Sequence, residues 1–592
     1  MESKNQYKEL SQDSRKEENM SDMNQGTWVE NTGSAAPQNT TDQGNNVSAP
    51  MGTPLVAVPG AKPLKTETEE TKRMKEHFSF FGPVTFWYAV FYAFCMFKNG
   101  SGVTFPFFVA GSLLFLCLSL SKLGITLKRG SIFYMAAIVL LGISTFCTDD
   151  GRLIFFNKAG IFLLMMSLLL KQFFNTSKWE LGKYLGAICQ LVVMSFGELG
   201  RPFSDLARNR KVKESESSKK FWYVVLGLVI GVPVLFMVLL LLASADVLFR
   251  QMTGDILKNI QLGNILNILF RIAFIFFASY SLTSYLCKRK INEEVADLRQ
   301  GEPVLAITIT GLLTLLYLLF SGIQIVGLFL GQMQLPEGYT YAMYAREGFF
   351  QLLAVSLLNL VIVLICMSLF KKSKLLKAIL TLMSLCTFVM IASSALRMVI
   401  YIRFYYLTFL RILVLWSLAV LALLFAGVLI SIFLERFPMF RYSMAVVTLL
   451  YLALSFAHPD YIIAWVNISN APQSAAAWSN DADEESLSQA DLFGGQFFLT
   501  SEPYHDYRYL TNLSADAAPI LVPYLEDLGY DLDAFEAEDA VLYEGEFRSE
   551  SMMRSKESDF GYYWMRRMQK KADNLGIRTF NVSRYRMVQY FQ

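Results

Sequence analysis

Between Phe80 and Ala457 the chain alternates long apolar runs, nearly free of charge, with short polar breaks. A helix needs roughly 20 mostly apolar residues to cross the hydrocarbon layer of a bilayer. Inside that layer only helices and closed barrels satisfy every backbone polar group. Eleven runs qualify by length and character: Phe80–Phe97, Val103–Leu120, Ile132–Phe146, Leu153–Leu170, Phe221–Ala243, Ile256–Leu286, Val304–Leu330, Phe349–Phe370, Leu376–Ala395, Ile412–Leu434 and Tyr442–Ala457, of which the third and last are short. Lys183–Phe196 is apolar too, but it carries Gln190 and is flanked by Glu180 and Glu198, so it reads as interfacial or re-entrant. The expected fold is all-α: a polytopic helical membrane bundle of about 11 spans with a small, mostly helical C-terminal extramembrane domain. Composition agrees. Only 17% of the 592 residues are charged, against about 25% in soluble domains, too few to coat the surfaces of a soluble multi-domain enzyme.

Residues 1–75 are polar, lack apolar periodicity and read as a disordered cytoplasmic tail; residues 80–457 form the membrane domain and residues 458–592 an acidic soluble domain. The net charge of +3 hides an asymmetry, because His458–Gln592 holds 22 acidic and 11 basic residues. Basic clusters at Lys122–Arg129, Arg201–Lys220, Lys288–Lys290 and Lys371–Lys377 fall on one side of the eleven-span threading, and the positive-inside rule assigns that side to the cytoplasm. An odd number of crossings then leaves the C-terminal domain outside the cytoplasmic membrane. Helical patterning is expected over His505–Leu513, Ala515–Asp527 and Asp539–Asp573, with a short strand near Thr579–Val582.

Seven cysteines lie in or beside apolar runs with no CxxC pair, which reads as buried, inert thiols. The three histidines, His77, His458 and His505, are scattered. Neither a metal centre nor a cofactor is expected. Phosphate-loop, nucleophile-elbow and HExxH patterns are missing, and the basic loop before Phe221 reads as lipid-facing rather than nucleic-acid-binding.

Polar and charged groups at or near membrane depth are the remaining candidates. Lys158 either snorkels to the outer surface or lines an outward-facing cavity beside Asp149, Asp150 or Asp246. Asp246 ends an uncharged helix, and Arg346 and Glu347 open another. Arg397, Arg403 and Arg411 punctuate an aromatic stretch, as a belt of snorkelling cations or as a site for an anionic headgroup.

The segments SADVLF at Ser244–Phe249, YAREGFFQL at Tyr344–Leu352 and LRMVIYIRFYYLTFLR at Leu396–Arg411 resemble a bacterial membrane family. So do IIAWVNI at Ile462–Ile468, YLTNLSADAAPIL at Tyr509–Leu521 and FNVSRYRM at Phe580–Met587. The family is domain of unknown function 4173, related to the 4153 group. The resemblance implies no established activity. It marks Asp246, Arg346, Glu347, Arg397, Arg411, Asn467, Asp516 and Pro519 as the positions most worth following. The function expected first is a non-enzymatic sensor, scaffold or assembly factor of the cell envelope, whose outer domain binds a partner. A transporter or lipid flippase, and a membrane enzyme acting on a lipid-linked substrate at the outer face, are the alternatives. The partners expected are the bilayer itself, anionic lipid headgroups or an envelope protein.

Overall fold

The computed structural model describes residues 67–176, 179–212, 262–294, 299–329, 348–434, 436–469, 509–527 and 556–591, with isolated positions between 231 and 246. It is helical throughout these residues. Helix α1 (Glu69–Glu76) leads into α2 (Phe78–Met96), α3 (Thr104–Leu123), α4 (Ser131–Cys147), α5 (Gly151–Phe173), α6 (Leu181–Ser195) and α7 (Arg201–Val212). Then come α8 (Leu262–Cys287), α9 (Pro303–Gln324), α10 (Phe349–Leu369), α11 (Lys374–Tyr405), α12 (Phe409–Phe433) and α13 (Met439–Phe456). The C-terminal part supplies α14 (Pro459–Ser469), a 3-10 turn at Ala515–Ala517, α15 (Ala518–Asp527), α16 (Lys556–Ala572) and α17 (Val582–Gln589).

Among the described residues nine helices are long and apolar enough to cross a membrane. The apolar α4 is shorter, and the run Phe221–Ala243 lies almost wholly outside the described residues. The chain is therefore a multi-pass helical membrane protein. Helix α6 rises about 22 Å over its 15 residues, well short of the hydrocarbon thickness. Its buried residues Tyr184, Ala187, Leu191 and Ser195 form one stripe. Two expectations fail locally. The run expected to end at Ala395 does not end there, because α11 continues unbroken to Tyr405. The strand near Thr579–Val582 is absent: residues 577–579 form a turn, and the Asn581 side chain opens α17. The thiols are also less uniform than expected, with Cys95, Cys287, Cys366 and Cys386 buried but Cys189 on an outward face.

Two apolar cores organise the bundle. One gathers Leu120, Ile138, Leu168, Phe174 and Tyr280 from the first helices and α8. The other gathers Val363, Met383, Met398 and Phe425 from α9 to α12. Helix α13 joins the halves through polar groups: Ser144 and Ser455 share a hydrogen bond of 2.6 Å, and the buried Asn157 accepts from Tyr451 and Ser455 at 2.7 Å each. In the second half Tyr317 donates to Asn359 (2.9 Å), which donates to Thr387 (3.1 Å). Such side chains fasten helices where lipid removes the hydrophobic drive between them.

The two ends of the bundle are built differently. At one end α1 sits against the α3 and α8 termini: Arg73 donates to the Leu123 carbonyl and Thr68 to the Cys287 carbonyl. At the other end the turns α2–α3, α4–α5 and α11–α12 and the exit of α13 meet α14 to α17. The latter helices form a platform with its own core, in which Trp564, Met568, Leu513, Leu521 and Met587 close over Leu153, Leu407 and Phe409 of the bundle. Helix α1 and the platform thus occupy opposite ends of α2.

Candidate functional site

The α4–α5 turn reads Thr148-Asp149-Asp150-Gly151-Arg152. Asp150 is an N-cap: its carboxylate accepts from the Arg152 N–H at 2.9 Å. The Arg152 guanidinium folds back onto both Asp150 oxygens at 2.9 and 3.1 Å. The same guanidinium pairs with Asp460 of α14, donates to the Tyr509 hydroxyl at 3.1 Å and lies over the Phe409 ring at 4.2 Å. One planar fork therefore ties α5, α12, α14 and the segment before the 3-10 turn. Arginine suits this role because its donors are fixed in a plane and stay charged.

Asp149 points the other way. It accepts from Arg584 Nε of α17 at 2.6 Å, pairs with Lys571 of α16, and takes the Ala515 N–H at 3.4 Å. Asp516, in the 3-10 turn, reaches down to the bundle, where it accepts from the Thr148 hydroxyl at 2.5 Å and the Asp149 N–H at 3.0 Å. His458 Nδ1 stands 3.4 Å from the oxygen that Thr148 holds. All four carboxylates, Asp149, Asp150, Asp460 and Asp516, are buried. Unpaired, each would cost several kcal/mol; here every one has a cation or a donor within the chain.

Their surroundings separate their acidities. Burial and the neighbouring Asp150 push the Asp460 carboxyl up to about 6, against the pull of Arg152 and of Ser514. Burial also acts on Asp516, but His458, Ser583 and Thr148 outweigh it and hold that carboxyl below the usual range.

Amide side chains complete the seam. Asn581 Nδ2 donates to the Ser101 and Thr148 carbonyls at 3.0 Å each, while its Oδ1 accepts from Ser583 and Arg584 as the cap of α17. Asn467 brackets Leu407, accepting from its N–H at 2.7 Å and donating to its carbonyl at 3.0 Å. Arg578 donates to the Phe94 and Phe97 carbonyls at the end of α2. Gly102 is required there, because a Cβ would stand 2.6 Å from the Arg578 carbonyl.

Beside this network lies a cavity of about 620 Å³. Cys147 and Ala457, where α4 and α13 end, form its bundle side; Asp516, Ser583, Arg586 and Tyr590 form its platform side; His458 and Tyr461 stand between. His458 adopts a left-handed backbone, φ +48°, a conformation costing on the order of 1–3 kcal/mol for a non-glycine residue. Among the described residues no group of three His, Cys, Asp or Glu side chains is arranged to hold a metal ion.

Of the residues singled out from the sequence, Asp149, Asp150, Asn467 and Asp516 come together at this seam. Lys158 is half-buried in α5, its ammonium 5.6 Å from the Phe105 ring and turned toward Gly100 in the α2–α3 turn. Asp246 is exposed, its N–H bonded to the Leu242 carbonyl. Arg397 is buried inside the second half, 3.4 Å from Gln324, which also accepts from Ser393 at 2.6 Å. Arg411 lies over the Tyr401 ring at 4.4 Å and donates to the Tyr406 carbonyl. Arg346 and Glu347 fall outside the described residues, as does the Arg403 side chain. The cations of the acidic cluster are Arg152, Lys571 and Arg584, none of them among the sequence candidates. Arg584 and Asn581 do lie in the FNVSRYRM segment, so for them the signal was motif membership rather than charge, and Asp460 lies two residues before IIAWVNI.

These features define a polytopic helical membrane protein whose C-terminal helices are fastened to one end of its bundle. Residues 135–524 match the family described as domain of unknown function (DUF4153), more than half of the chain, and the protein belongs to that family. No curated protein and no solved structure matches the chain. The matched stretch includes the four carboxylates and stops before Lys571, Asn581 and Arg584.

Proposed function

We propose that the chain is a non-enzymatic binding protein of a bacterial cell envelope, a sensor, scaffold or assembly factor whose C-terminal domain meets its partner outside the cytoplasmic membrane. One observation carries this reading: each buried carboxylate at the seam is already engaged by a cation or N–H of the same chain. These four acids fasten the platform, and each is held by that task rather than offered to a substrate. In this reading residues 1–75 are a cytoplasmic tail, residues 80–457 cross the membrane about eleven times, and residues 458–592 form the outer domain. Support for the orientation comes from the basic residues Lys122, Lys128, Lys288, Arg289, Lys371 and Lys372, all at the α1 end. The motif resemblance further suggests kinship with the 4173 group.

The membrane-enzyme alternative is favoured by one feature, the cavity with His458 and Arg586 at the end of the apolar helices. The transport alternative loses support from Asn359 and Gln324, whose amides bond neighbouring helices. Native mass spectrometry with lipid extraction, on the full chain purified in detergent, separates the readings. A bound amphiphile or protein that leaves when Asp149→Ala or Asp516→Ala loosens the platform is the expected result. A bare wild-type protein contradicts the proposal, and a lipid chemically altered over time favours the enzyme.

A further inference from the structure

We propose that the seam cavity binds the phosphate-bearing headgroup of an amphiphile; the inference rests on the binding-protein reading and names its ligand class. Position comes first. Cys147 and Ala457 mark where two apolar helices end, so an occupant's tail can run along α4 and α13 while its head enters the cavity. Tyr461 and Tyr590 at the walls are the amphipathic residues that favour such a boundary.

Charge comes second. Arg152, Lys571 and Arg584 are held by Asp149, Asp150 and Asp460. The carboxylate of the cavity itself, Asp516, is served by Thr148, the Asp149 N–H and His458. Arg586 is left over: it is exposed on the wall and has no ion-pair partner among the described residues. The surrounding segment is basic as a whole, with eight basic and three acidic residues in 556–592, although the domain it ends is acidic. A guanidinium beside a polar wall matches the planar demands of phosphate.

The third observation is an unsatisfied group. Ser583 is 5% exposed and lines the same cavity. Its hydroxyl lies near enough to Asp516 to lower that carboxyl's pKa, yet completes no hydrogen bond. Buried hydroxyls normally find a partner, and a phosphate oxygen entering past Arg586 would supply one.

The test uses the full chain in detergent, delipidated and then offered dioleoylphosphatidylglycerol or dioleoylglycerol, with retention read by native mass spectrometry. Wild type should retain the phospholipid and not the neutral lipid. Arg586→Gln should weaken retention about tenfold, the scale of one charge-assisted contact, Arg586→Lys should restore part of it, and Lys570→Gln, on the exposed face of α16, should leave it unchanged. Soluble glycerol phosphate distinguishes sources: competition supports recognition of the head alone, and its failure alongside lipid retention supports a lipid that needs its tail. Equal retention of the neutral lipid, or unaltered phospholipid retention by Arg586→Gln, overturns the inference. Either result leaves the binding-protein reading standing, since that reading fails only if wild type carries neither lipid nor partner. Thermal melting of each variant verifies that it is folded.

Discussion

At the residue scale the seam turns on partners far apart in the chain. Asp149 and Arg584 are separated by more than four hundred positions, Arg152 and Asp460 by about three hundred. In the sequence Asp149 and Asp150 stand as adjacent acids of a loop and Asp516 as a single acid of a motif. Asp150 has a local partner in Arg152, but the partners of Asp149 and Asp516 are brought to them only by tertiary packing. Asn581→Ala should loosen α17 by about 1–2 kcal/mol, through loss of its cap and of both carbonyl contacts, read as faster hydrogen exchange in Val582–Gln589. Platform stability should also depend on pH, with opposite signs at two acids. Asp460, raised to about 6 beside Asp150, Arg152 and Arg567, contributes stability that is complete below 3.8 and lost as pH rises through about 6. Asp516, held low, contributes stability present above 3.8 and lost as pH falls through its depressed pKa. Protection of α16 should therefore be greatest between those limits. Protection that rises steadily from pH 5 to pH 8 would contradict the assignment of Asp460, and Asp460→Asn should flatten the upper limb.

At the element scale most of the bundle was legible, since apolar runs of the right length leave a helix little alternative. What failed was the ends. The aromatic, arginine-bearing stretch after Ala395 looks like a boundary loop, yet α11 runs on to Tyr405 because Arg397 finds Gln324 inside the protein. The basic segment Arg201–Val212 forms helix α7 against α8, where Asp205 accepts from Tyr280 at 2.9 Å, a contact without local sequence signal. The platform helices were partly legible through their patterning; their docking was not. Two substitutions test that docking. Gly102→Ala should push the Arg578–Thr579 backbone off the α2–α3 turn, since the new methyl has no room. Trp564→Ala, in the platform core, should cost about 3–5 kcal/mol. Both should render the segment around Lys556–Ala572 sensitive to protease while the bundle stays intact; resistance equal to wild type would mean that this core does not hold the platform.

At the scale of the whole molecule, one end carries α1 and the basic turns, the other the platform. The acidic surplus of the C-terminal part belongs largely to residues 470–508 and 528–555, which hold 15 of its 22 acids, whereas the docked helices α16 and α17 are basic. The sequence average concealed this division as it concealed the opposition between the two halves of the chain. A reporter enzyme active only outside the cytoplasm, fused after Gln592, should be active, and one fused before Met1 silent; the reverse pattern would invert the orientation. The central claim, that the acidic cluster fastens the platform to the bundle, is tested most directly by a double-mutant cycle of Asp149→Ala and Arg584→Ala, read from hydrogen exchange in α16 and α17. A coupling of about 1–3 kcal/mol between the two sites is expected for a buried ion pair that carries the joint. Additive effects with no coupling, or full protection of α16 and α17 in the Asp149→Ala protein, would contradict it.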